Sequence, residues 1–96
     1  MYFITCFSNF ESEYLDNYRT FGYFGNYATC RKALNRNWCD MCEAGYYTCA
    51  VIEEISEGIH QHAMQIAWFC WDEERKGFYE TEKPEWVGNL CNFALG

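Results

Sequence analysis

The chain reads as an α+β domain: an antiparallel sheet of four to five strands with one main helix packed on one face, in the order β-β-α-β-β-β. Three stretches carry that expectation. Gln65 to Asp72, the charged loop Glu73 to Gly77, and Phe78 to Glu82 have the pattern of a β-hairpin. Tyr46 to Ile55 is the clearest β-rich run of the chain. From Tyr27 to Trp38, the apolar positions Tyr27, Cys30, Ala33, Leu34 and Trp38 recur at helical spacing. Successive hairpins build an antiparallel sheet, and one amphipathic helix covers one side of it.

Met1 to Ser8 is the first expected strand. Phe3, Thr5 and Phe7 alternate against Tyr2, Ile4 and Cys6, and both sides are apolar, so the strand belongs inside the sheet. Asn9 to Asn17 is polar and acidic and reads as a loop. Tyr18 to Phe24 returns as a second strand, with Gly22 marking a bulge or a close backbone approach. Asn26 is the expected N-cap of the helix, whose outer face presents Arg31, Lys32 and Arg36. Asn35-Arg36-Asn37 weakens helix propensity, and Asp40 to Gly45 reads as a loop. In the third strand Tyr47, Cys49 and Val51 alternate against Tyr46, Thr48, Ala50 and Ile52. Ser56-Glu57-Gly58 turns the chain, and Ile59 to Met64 connects it to the hairpin. There the first arm sets Ile66, Trp68 and Cys70 against Ala67, Phe69 and Trp71. The second arm sets Phe78, Glu80 and Glu82 against Tyr79 and Thr81. Gly77 stands where such a loop often needs a left-handed residue. Pro84 suits the first turn of a short helix from Glu85 to about Asn89, and Leu90 to Leu95 reads as a final short strand with Phe93 and Leu95 inward.

The 96 residues make one domain, 1–96, large enough for one modest core. Half of them are hydrophobic and 21% aromatic, which excludes disorder and places some rings at the surface. The net charge of −7 disfavours direct nucleic-acid binding. That charge is uneven, because residues 51–96 carry nine acidic and only three basic side chains. The odd count of seven cysteines, with no export signal before them, points to a cytoplasmic protein with reduced thiols acting mostly as small core fillers on strands. No apolar run is long enough for a membrane span.

Chemistry-bearing motifs are sparse. No Gly-rich phosphate loop, nucleophile elbow or paired-carboxylate motif appears, so an enzyme is not expected. Cys39-Asp40-Met41-Cys42 is the one cysteine pair with ligand-like spacing, and His60 and His62 are the residues that would complete four zinc ligands. A single pair falls short of the two well-spaced pairs usual in structural zinc sites, so no metal and no cofactor is expected. What stands out is the acidic second half. Carboxylates carried along a strand can occupy the positions of phosphates on a nucleic acid and block a basic groove. The residues in that role are Glu53, Glu54, Glu57, Asp72, Glu73, Glu74, Glu80, Glu82 and Glu85, with Trp68 and Trp71 as aromatic anchors.

Arg19-Thr20-Phe21-Gly22-Tyr23-Phe24, Asn37-Trp38-Cys39-Asp40, Ala50-Val51-Ile52-Glu53-Glu54-Ile55 with Gly58-Ile59-His60, and Cys91-Asn92-Phe93-Ala94-Leu95-Gly96 resemble segments of small uncharacterised proteins of gut Firmicutes and their prophages and mobile elements. The likeness covers most of the chain outside residues 9 to 17. It implies a setting and assigns no residue a role: small acidic proteins of such elements include inhibitors of host defence, anti-CRISPR proteins among them. The resulting expectation is a non-enzymatic inhibitor that binds a protein partner through that partner's basic nucleic-acid-binding surface. The alternatives are a domain that self-associates as a homodimer through its aromatic face, and a zinc- or small-ligand-binding regulatory module.

Overall fold

The computed structural model describes residues 1–8, 17–58, 63–87 and 93–94. Five strands form one sheet: β1 (Tyr2–Phe7), β2 (Tyr18–Phe24), β3 (Cys49–Glu54), β4 (Met64–Asp72) and β5 (Gly77–Thr81), in the spatial order β2-β1-β3-β4-β5. Every neighbouring pair is antiparallel. The single helix α1 (Tyr27–Asn35) lies across one face, and the expected α+β class is the one observed. The expected loop over 9–16, the connector at 59–62 and most of the final strand fall outside the described residues; Phe93 and Ala94 form a bend. Among the described residues no helix is long and apolar enough to cross a membrane.

The three inner strands, β1, β3 and β4, are those whose alternating positions are largely apolar on both sides. Ile4 and Cys6 of β1, Ala50 and Ile52 of β3, Ala67 and Phe69 of β4 and Phe78 of β5 face the helix, where Cys30, Ala33 and Leu34 meet them. On the opposite side Phe7, Cys49, Val51 and Trp68 gather with Val87 and Phe93 from the end of the chain. The Phe7 and Phe93 rings stack at 5.1 Å, and Trp68 meets both edge-on. Those contacts give the second face its cover, so the layers are helix, sheet and terminal segment. Beyond Pro84 the chain makes a 3₁₀ turn over Glu85–Val87, within the range expected to be helical.

Local chemistry explains most boundaries. Asn26 is extended, at φ −134 and ψ 126, and its side chain accepts from the Thr29 N–H at 3.3 Å, capping α1. The helix ends because Asn37 turns left-handed at φ 48. A further 3₁₀ turn, Trp38–Asp40, and the loop after it hold Cys39, Asp40, Glu43, Ala44 and Gly45 at positive φ as well. Trp38 therefore leaves the helix, 38% exposed, and meets Phe24 edge-on. This loop also shortens the third strand. Tyr46 to Thr48 are not part of it, the alternation restarts at Cys49, and Tyr47 lies with Ala50 and Ile52 on the helix side rather than with Cys49 and Val51. Gly22 pairs with Ile4 beside a bulge, as its position suggested.

Gly77 has a different reason from the expected one. The left-handed residue of the hairpin loop is Lys76, at φ 55. A Cβ on Gly77 would lie 1.9 Å from the Asn35 carbonyl oxygen, so the glycine exists to let the end of α1 rest on β5.

Candidate functional site

The hairpin loop between β4 and β5 consumes its own charges. Asp72 accepts from the backbone N–H of Glu74 at 3.0 Å and of Arg75 at 3.1 Å, and its other oxygen accepts from Arg75 Nε at 2.8 Å. The Arg75 guanidinium also lies 3.6 Å from the centre of the Tyr79 ring. Glu73 accepts from Trp71 Nε1 at 2.8 Å and pairs with Lys76. The hydrogen bonds from the Arg75 backbone and side chain, in that order, hold Asp72 below its ordinary pKa. The Lys76 ammonium, then the Trp71 indole, do the same for Glu73. Lys83, the remaining base of the second half, sits 5.6 Å from the Trp68 ring centre.

All three bases of residues 51–96 are thus held by groups of the same hairpin region, while several acids are not. Glu74, Glu80, Glu82 and Glu85 are exposed and make no ion pair among the described residues. Glu80 lies on β5, the last strand of the sheet, and Glu82 and Glu85 follow it beyond the strand's end at Thr81, where the chain turns toward the second face. Glu80 projects to the helix side, close enough to Tyr27 to help raise that phenol, although burial of the ring is the larger cause. Glu57 is exposed at the turn after β3, and Glu54 is half-buried at the end of that strand.

Two expected docking residues are not at the surface. Glu53 is 0% exposed. Its oxygens accept from the Phe93 N–H at 3.1 and 3.2 Å and from the Ala94 N–H at 2.9 Å. The carboxylate is an internal anchor for the terminal segment. Its place in the alternation, on the same side as the apolar Cys49 and Val51, was the available signal. Trp68 is buried in the second-face cluster, covered by Phe93. Trp71 is half-buried against Phe78, with its indole N–H taken by Glu73. The large exposed apolar side chains are elsewhere: Tyr18 and Tyr23 on β2, the opposite margin, Trp38 and Tyr46 on the segment between α1 and β3, and Met1, Met64 and Ile66. The exposed rings and the exposed carboxylates of β5 and its continuation therefore lie on different elements.

The Cys-x-x-Cys pair is split by its own backbone. Cys39 is exposed on a left-handed residue, whereas Cys42 is buried, with its Sγ 3.3 Å from both Asp40 Oδ1 and Asn37 Nδ2. Among the described residues no three His, Cys, Asp or Glu side chains gather as a metal site, and His60 and His62 lie outside them. An open apolar cleft of about 190 Å³ lies beside Phe21, Phe24 and Trp38, and larger open grooves of about 330, 390 and 410 Å³ lie elsewhere on the surface.

Compared with models of known families, with curated proteins and with solved structures, the chain matches none.

Proposed function

We propose that the protein is a non-enzymatic docking protein whose acidic β5 margin, led by Glu80, Glu82 and Glu85, occupies the basic nucleic-acid-binding surface of a protein partner. One observation supports this reading. Every basic side chain of the second half is engaged within the hairpin region, which leaves these exposed carboxylates without a counter-charge of their own. Such a row attracts a cationic surface over about a Debye length, ~8 Å at physiological ionic strength. Among the described residues β5 is an edge strand, and an edge strand offers backbone groups to a partner. The resemblance to small proteins of prophages makes a nucleic-acid-binding defence effector, such as a CRISPR nuclease, the expected class of partner.

The test is competition. The parent chain and a Glu80→Lys/Glu82→Lys variant are used to capture proteins from bacterial lysate in stepped salt, and each retained protein is assayed for nucleic-acid binding with and without the parent chain. The reading requires a retained protein whose nucleic-acid binding the parent suppresses, with suppression weakening as salt rises and absent for the variant. Equal suppression by both chains, or retained proteins that bind no nucleic acid, refutes it.

A further inference from the structure

We propose that Cys49 and Cys70 form a redox-modification site, a cross-strand dithiol that closes to an intramolecular disulfide on reaction with a low-molecular-weight disulfide and reopens with small thiols. The two residues are direct partners in the register of β3 and β4. The Trp71 N–H donates to the Thr48 carbonyl at 2.9 Å, a bond that joins the residue after Cys70 to the residue before Cys49. A bond in that position marks Cys49 and Cys70 as a non-hydrogen-bonded pair, the closer of the two antiparallel arrangements, with Cα atoms about 4.5 Å apart. Disulfides span Cα separations of roughly 4.4–6.8 Å. Directly opposed residues project to the same face, here the one covered by Phe93, and both thiols are free.

The two thiols differ in access, as a two-step exchange needs. Cys70 is exposed, with its Sγ 3.8 Å from the Trp71 carbonyl oxygen. Cys49 is 6% exposed, with its Sγ 3.8 Å from Thr48 Oγ1. Burial pushes the Cys49 thiol up to about 11, so Cys70 is the thiol that meets the oxidant first. The Cys70 thiolate attacks one sulfur of the small disulfide, forming a mixed disulfide and expelling one small thiolate. Cys49 then loses its proton, attacks the Cys70 sulfur and expels the second. Two protein sulfurs are oxidised, the small disulfide is reduced to two thiols, and the protons lost by the cysteines balance those gained by the leaving groups. No other described pair of cysteines is opposed in this way: Cys6 is buried on β1, Cys30 is buried on α1, and of the loop pair Cys39 is exposed and Cys42 buried. The closed form ties the start of β3 to the loop end of β4, in the hairpin that carries the acidic margin. The site stands independently of the docking role.

The experiment titrates the full reduced chain with oxidised glutathione and reads intact mass, non-reducing peptide maps and the thermal midpoint. The expected product has lost two hydrogens, links the Cys49 and Cys70 peptides, melts higher because the unfolded chain is cross-linked, and reverts with dithiothreitol. Cys49→Ser is expected to stop at a glutathione adduct on Cys70, and Cys70→Ser to give no closure. Should either variant fail to fold, phenylarsine oxide, which bridges adjacent thiols, is expected to label Cys49 and Cys70 of the parent together. Folded parent that carries only glutathione adducts, or links through other cysteines, overturns the proposal.

Discussion

Replacing Gly77 by alanine tests how the helix is seated on the hairpin. The added methyl would meet the Asn35 carbonyl oxygen at 1.9 Å and its carbon at 2.8 Å, both backbone atoms that cannot rotate away. Restoring an ordinary contact of at least about 3.4 Å requires the end of α1 or the start of β5 to retreat by about 1.5 Å. Buried Ala33 and Leu34, in the last turns of the helix, share a cluster with Phe78, so the retreat opens a gap over that ring. A gap of 0.5–1 Å already forfeits about a quarter to a half of the dispersion energy across it. Overpacking of this kind costs about 3 kcal/mol, the upper part of the usual range. For a domain of this size that is a fall of roughly 12–24 °C in melting temperature. Gly22 is the control, since a Cβ there meets nothing within 4 Å; Gly22→Ala is expected to stay within about 0.5 kcal/mol of the parent. Thermal melts of both variants by circular dichroism decide the matter. If Gly77→Ala and Gly22→Ala melt together near the parent, the helix does not rest on β5 as described.

The remaining predictions concern charge. Glu53→Ala leaves the Phe93 and Ala94 N–H groups without their acceptor and is expected to destabilise by about 3 kcal/mol, with Glu53→Gln costing less because its amide oxygen still accepts; urea melts measure both, and an unchanged midpoint for the alanine variant would remove the anchor. Glu80→Lys/Glu82→Lys leaves the fold intact, because both side chains are exposed and unpaired, so a melting temperature changed by more than a few degrees would place them in the core. Asp72 and Glu73 have native pKa values below their ordinary 3.8 and 4.5. Their contribution is therefore complete above the ordinary carboxylate range and lost as pH falls through the depressed values, following the proton linkage of folding. Carboxyl chemical shifts that titrate at ordinary values would contradict the hydrogen bonds of that loop.

The residues that the sequence assigned to a docking face separate for identifiable reasons. Exposed Glu80, Glu82 and Glu85 were legible because charged residues that share a face with Phe78 toward the end of β5, or follow that strand, lie beyond the reach of the core. Glu53 and Trp68 were misplaced because their exposure depends on Val87 and Phe93 folding back over the second face, a contact between distant parts of the chain. Asp72 and Glu73 were recognised as a charged loop, but their capture by Arg75, Lys76 and Trp71 follows from the geometry of the turn.

The amino-acid sequence alone determined the five strands, the helix with its Asn26 cap and the concentration of acid in the second half, since alternation, capping and composition are local properties of neighbouring residues. Only the tertiary structure decided that β1 lies between β2 and β3, that the terminal segment covers the second face, that Gly77 exists for the helix above it and that Cys49 faces Cys70. Those outcomes depend on which surfaces meet after collapse, and periodicity within one strand cannot specify its neighbour.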